Sequence, residues 1–376
     1  MSQVDDERGA GAREGDSASA PQFGRRELLV ASGLSLATLG RAAAAAEPPV
    51  TPQPTDFVAR PPEGFVPLRA PGLVTQVEAK GDFASMMQPN QLWPRPELAR
   101  VLLERALTEL TGAPNLVEAM KRFVHPSERV AIKVNGIAGQ VGATMAVNFE
   151  LILPLVEALL ALGVPPERIT VYEQYPTYLM GCRVNVRQNK LPDGVVTGTH
   201  NNRDHVMPRI TVFERVPTRY ARFLTEASAL IDMTMMKDHS ICGFTGAMKN
   251  VTHGNIDNPQ DHHAHQASPQ IAMLYNHPIV MGRARLHITD AFKIIYDRGP
   301  LDKDARMRVP HGSVYASTDA VALDRVGWKV IDDERVRRGG RTLAKAGREP
   351  TYILRAAELG IGVGDWNDIR LRSVVV

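Results

Sequence analysis

Between residues 97 and 331, short apolar runs alternate with longer amphipathic segments. That alternation restricts the chain to a few layered α/β folds. Leu98, Val101, Leu102, Leu103, Leu107 and Leu110 have helical spacing, which predicts a helix over 97–110. Val130 to Val134 reads as a strand ending at Asn135-Gly136. Phe149 to Leu162 reads as a helix closed by Gly163, with Pro165-Pro166 beyond it, and Ile169 to Tyr172 as the next strand. The order then repeats, with strands expected at 227–236, 286–290 and 313–316. A helix follows at 318–331, with Ser317 or Thr318 as its cap. Strands separated by helices predict one large domain, a mostly parallel sheet with helices on both faces. Ligands in such sheets sit beyond the carboxyl ends of the strands, so the residues after Val134, Tyr172, Met236 and Ile288 are the candidates for a site.

That domain is expected over 72–376. Residues 47–71 carry Pro48, Pro49, Pro52, Pro54, Pro61 and Pro62 and read as an extended linker. Residues 1–46 read as a twin-arginine (Tat) signal peptide. Phe23-Gly24-Arg25-Arg26-Glu27-Leu28-Leu29 is followed by an apolar run to Leu39 and by Ala44-Ala45-Ala46. The run of 12 residues is shorter than the ~20 needed to span a bilayer, so no permanent membrane anchor is expected. The expected partner during export is the Tat translocase, and the expected location is the periplasm or the extracellular space. Because that route carries folded proteins, it favours a bound cofactor.

The net charge is +3, and +4 without the first 46 residues, too small to imply nucleic acid. The one basic run, Arg335 to Arg348, has no interleaved aromatics and reads as a solvated helix end and loop. Cys182 and Cys242 are the only cysteines. Export would permit a disulfide between them, and two thiols cannot hold a four-cysteine iron–sulfur cluster. Met233, Met235 and Met236 alternate within a strand and read as packing.

Six of the 11 histidines fall between 239 and 277. Asp261-His262-His263-Ala264-His265 crowds three imidazoles and a carboxylate into five residues. His262, His263 and His265 are therefore candidate ligands for a divalent transition metal, the solvated loop being the alternative. Upstream, Lys237-Asp238-His239 leaves a strand and leads through a Gly-containing stretch to Met248-Lys249-Asn250. Exposed amides flanked by two lysines suit an anion.

These residues resemble the family named domain of unknown function 362, whose hallmark is a strand ending in Lys-x-His with Leu-Lys-Asn or a variant about ten residues later. Ala131-Ile132-Lys133-Val134-Asn135 resembles its lysine strand, and Leu286-His287-Ile288-Thr289-Asp290-Ala291 its aspartate-ending strand. Tyr296-Asp297-Arg298-Gly299-Pro300 is similar to its next loop, with Arg298 where a second glycine is expected, and Ser317 to Asp324 to its closing helix. The resemblance runs from about 128 to 335 and implies a fold and a site but no reaction. Some relatives carry a ferredoxin-like cluster domain; this chain lacks its set of cysteines, so no iron–sulfur cluster is expected. Lys237, His239 and Asp290 are the candidate catalytic residues, and Lys133, Asn135, Lys249 and Asn250 the candidate substrate-binding ones. The expected function is an exported, metal- or cofactor-dependent enzyme acting on a small anionic molecule. The alternative is a non-catalytic periplasmic protein that captures an anion or metal.

Overall fold

In the computed structural model, which describes residues 53–139, 145–213 and 215–376, the strand-forming runs assemble into one nine-stranded sheet. The strands are β1 (Leu73–Glu78), β2 (Val130–Lys133), β3 (Ile169–Glu173), β4 (Val196–Thr199), β7 (Ala229–His239), β8 (Gly243–Thr245), β9 (Ala284–Ile295), β10 (Arg308–Ser317) and β11 (Arg370–Val375). β5 (Ile210–Thr211) and β6 (Pro217–Thr218) form a separate antiparallel pair. The sheet order is β11-β1-β10-β9-β7-β2-β3-β4, with β8 folded back antiparallel on the end of β7. From β9 to β4 all neighbours are parallel, whereas β10 is antiparallel to β9 and β1 to β10.

The sheet is buried on both faces. On β7, Ile231, Met233 and Met235 enter one apolar core with the helices Pro96–Thr111 and Phe149–Leu162. Leu230 and Met236 enter the other, with the helices Ser268–Asn276, Ala320–Arg337 and Thr351–Glu358. Period-two alternation sends neighbouring side chains to opposite cores, so the methionines pack as expected. Helix Phe149–Leu162 follows Asn148 and stops at Gly163, whose φ of 100° is a left-handed cap. Helix Ala320–Arg337 is capped by Asp319, one residue beyond the two expected caps. Its carboxylate accepts the Val321 and Ala322 N–H groups, and also those of Gly72 and Val363.

The described residues belong to one unit, Thr51–Val376. Part of the stretch expected as a linker is packed onto it: Phe57 and Val58 lie against the second core, and the Ala70 N–H donates to Thr318 Oγ1. The expected export signal lies outside the described residues. Among the described residues no helix is long and apolar enough to cross a membrane.

β9 runs on to Ile295, pairing with β10 from His287 onward across one irregularity, so Asp290 lies in mid-strand and not at a strand end. β2 and β3 do end together, and β7 runs past its last pair with β2, Lys133 opposite Asp232, to carry Lys237 and His239 beyond their ends. The site is there.

Candidate functional site

β2 ends on Lys133, and its ammonium is held on three sides. It donates to the Val134 carbonyl at 2.8 Å and to Asn250 Oδ1 at 3.3 Å, and pairs with Glu173 Oε1 at 3.2 Å from the end of β3. Glu173 Oε1 also accepts the Gly136 N–H at 3.1 Å. A Cβ at Gly136 would lie 1.8 Å from the Tyr178 carbonyl oxygen, so the turn after β2 excludes any side chain. β7 carries Lys237 and His239 and folds back through β8, pairing Lys237 with Thr245. Gly246 then starts helix Ala247–Thr252, which bears Lys249 and Asn250. Asp324 accepts the Ala247 and Met248 N–H groups at 2.6 and 3.1 Å, fixing the start of that helix. The hairpin between the two lysine motifs thus brings Lys249 back over the end of β7.

The polar side chains form a continuous buried network. Lys237 donates to Asn135 Oδ1 at 2.6 Å, and Asn135 Nδ2 to Asn250 Oδ1 at 3.0 Å. Asn250 Nδ2 donates to Asp232 Oδ1 at 2.6 Å and to the Met233 carbonyl at 3.3 Å. His287 Nδ1 donates to Asp232 Oδ2 at 3.0 Å, and His287 Nε2 lies 2.8 Å from the Tyr275 hydroxyl. Since a carboxylate and a carbonyl only accept, the Asn250 amide has one allowed orientation, with its oxygen toward Lys133.

Above the network opens a cavity of about 450 Å³. Lys133, Glu173, His239, Lys249, His253 and His263 line it, with Asn135 and Asn250 at its base and Tyr175 and Tyr178 to one side. His239 Nδ1 accepts the N–H groups of Ile241 and Cys242 at 3.1 and 3.3 Å, which leaves Nε2 as an N–H donor. His263 Nδ1 donates to the Pro259 carbonyl at 2.7 Å, so its Nε2 accepts from Lys249 Nζ at 3.3 Å.

Burial, then the nearby Lys249 cation, holds His239 down at about 2. The same two causes hold His263 at about 4 and His253 well below its ordinary value. All three imidazoles are therefore neutral at physiological pH. Burial also lowers Lys249, and it lowers Lys237 to about 7 against the attraction of Glu173. Behind His239, Asp238 pairs with Arg348 at 2.7 Å and Arg335 at 3.4 Å, and both arginines also reach Asp297. These two ends of the basic 335–348 run are therefore not solvated: they clamp the 297–300 loop beside β7. Arg298 in that loop has φ 56°, a conformation that favours glycine.

Of the residues expected from sequence, Lys133, Asn135, His239, Lys249, Asn250 and His263 meet at the cavity, with Lys237 immediately behind Asn135. Asp290 does not line it. Burial lifts that carboxyl to about 6, and it accepts the Asn148 backbone and side-chain N–H groups at 2.7 and 2.8 Å, holding the entry to helix Phe149–Leu162. The imidazoles of the 261–265 run separate. His262 is buried with neither ring nitrogen hydrogen-bonded, His263 faces the cavity and His265 is exposed. Among the described residues, no group of three or more His, Cys, Asp or Glu is placed to hold a metal ion. Cys182 and Cys242 are both free and buried. Asp232, His287, Glu173 and His253 were not expected at the site, although Glu173 ends a parallel strand and the strand-end rule reaches it.

The family model described as Domain of unknown function (DUF362) matches residues 130–329. The chain belongs to the DUF362 family. The DUF362 match runs from β2 into helix Ala320–Arg337 and includes every residue of the cavity. This DUF362 chain is also similar to a structural-genomics crystal structure of a Thermotoga maritima protein, at 12% identity and a TM-score of 0.38. That similarity covers 63% of this chain and 58% of the Thermotoga one. No curated protein matches.

Proposed function

We propose that this protein is an enzyme that binds a small anion in the cavity and stabilises negative charge developing on one of its oxygens. A single observation carries the reading: two lysines and three neutral imidazoles face about 450 Å³ that contains one carboxylate, Glu173, already paired with Lys133. Lys133 and Lys249 supply positive potential for the anion. His239 Nε2–H and the Lys249 ammonium are two proton donors at the same wall, and a lowered lysine pKa makes the ammonium a better acid. Because the 261–265 imidazoles do not converge, this reading gives them no metal.

The twin-arginine pattern at Arg25-Arg26 supports export by the Tat route to the periplasm or beyond.

The test is proton NMR of mixtures of hydroxy, keto and amino carboxylates and phosphomonoesters incubated with the mature protein. Wild-type protein is expected to convert at least one compound. His239→Gln is expected to bind it within ~3-fold but convert it ~10²-fold more slowly, the size of effect of losing one oxyanion donor. Tight binding without conversion, equal in wild type and His239→Gln, would instead make the cavity a carrier site.

A further inference from the structure

We propose that the anion this cavity selects is a dianion, a dicarboxylate or a phosphomonoester, because the fold leaves two amines, Lys237 and Lys249, without a carboxylate partner. The inference rests on the reading of the cavity as an anion site and adds the charge of its ligand. Among the described residues neither lysine belongs to an ion pair. Lys237 Nζ donates to a neutral amide oxygen, Asn135 Oδ1, and Lys249 Nζ to a neutral ring nitrogen, His263 Nε2.

Every carboxylate near them is already engaged. Glu173 pairs with Lys133, Asp232 with His287, and Asp238 with Arg335 and Arg348. Asp290 is held by Asn148. The imidazoles of His239, His253 and His263 are neutral, and Cys182, close to Lys237, is pushed up by burial and keeps its proton. In direct contact, therefore, one ammonium has a carboxylate and two amines have none. An ammonium shut away from water without a counter-charge is strongly disfavoured and tends to give up its proton.

A monoanion neutralises one amine and leaves the other to deprotonate. A dianion compensates both, and Asn135, whose amide bridges Lys237 and the base of the cavity, brings the buried charge within electrostatic reach of the ligand. With Lys237 at about 7 in the free protein, a dianion draws a proton onto it at pH 7.5. Binding is then coupled to proton uptake, and affinity falls as pH rises.

Isothermal titration of the mature protein at pH 7.5 with sodium acetate, sodium succinate and sodium phosphate tests this, in two buffers of different ionisation enthalpy. Succinate or phosphate is expected to bind at least ~10-fold more tightly than acetate, with net proton uptake; a tenfold ratio is about one pKa unit of differential interaction. Whichever of the two binds more tightly distinguishes a carboxylate from a phosphate ligand. Lys237→Met is expected to keep acetate binding and bring the dianion preference below ~3-fold. Acetate binding as well as the dianions, or dianion binding without proton uptake, would overturn the proposal while leaving the anion site standing. If none of the three binds to wild type, or if Lys249→Met binds all three as wild type does, the anion site itself is wrong.

Discussion

Asp232→Asn lowers the unfolding free energy by about 3 kcal/mol and dianion affinity by at least ~10-fold, although residue 232 does not line the cavity. Asp232 accepts two hydrogen bonds from opposite sides, from Asn250 Nδ2 at 2.6 Å and from His287 Nδ1 at 3.0 Å. An amide at 232 has one oxygen and one NH2. If the oxygen stays with His287, its NH2 meets the Asn250 NH2, two donors face to face in a dry interior. Turning Asn250 over moves the conflict to the cavity floor, because Lys133 Nζ and Asn135 Nδ2 also donate to Asn250. Either arrangement leaves a buried donor unsatisfied or a lysine displaced. Calorimetry and succinate titration measure the two losses. The exchange variant Asp232→Asn/Asn250→Asp restores the contact between 232 and 250, since a carboxylate at 250 can accept from Lys133, Asn135 and the new amide, and only the Met233 carbonyl loses its donor. It is expected to recover much of the stability but not the affinity, because it places a second carboxylate on the cavity floor. A single variant with wild-type stability and affinity would show that the network does not set the orientation of Asn250.

Lys237→Met acts in the opposite direction on stability. Burial lowers Lys237 from 10.5 to about 7. Between those pH values the unfolded chain carries a proton that the folded chain has released, so folding is disfavoured more and more as pH falls from 10.5 to 7. Below about 7 the cost is fully present, and a methionine never incurs it. Against it stands the lost hydrogen bond to Asn135, about 1–3 kcal/mol for a buried acceptor left unpaired. The net expectation without ligand is a gain of about 2 kcal/mol at pH 6.5, or roughly 4 °C in midpoint temperature. The margin shrinks by about 1.4 kcal/mol per pH unit above 7 and reverses at about pH 8.5. Thermal unfolding across that range checks it. A variant less stable than wild type at pH 6.5, or a gap that does not change with pH, would mean the amine is not held at a cost.

The elements that place the site were readable where local chemistry decides them. Gly163 closes helix Phe149–Leu162 as its type suggests, and the apolar runs of β2 and β3 end where the cavity begins. Asp290 misled because Ala291 to Ile295 extend the strand past it. A mid-strand carboxylate can then reach only sideways, to Asn148. The 261–265 histidines are close in sequence but not gathered in space. His265, Gln266 and Ala267 all take left-handed backbone angles, so the chain turns sharply instead of running extended, and alternation no longer puts His263 and His265 on one side. Asp232 was visible as a lone charge within an otherwise apolar strand. Its partner His287 lies 55 residues away, on a strand that pairs with it only in the folded sheet.

The most direct check on the gathered lysines is a crystal of the protein soaked in selenate, a dianion with an anomalous scatterer. The strongest peak is predicted inside the cavity, within about 4 Å of Lys249 Nζ and His239 Nε2. It should disappear in Lys249→Met. Selenate found only on surface arginines, with the cavity between the ends of β2, β3 and β7 left to water, would contradict the account.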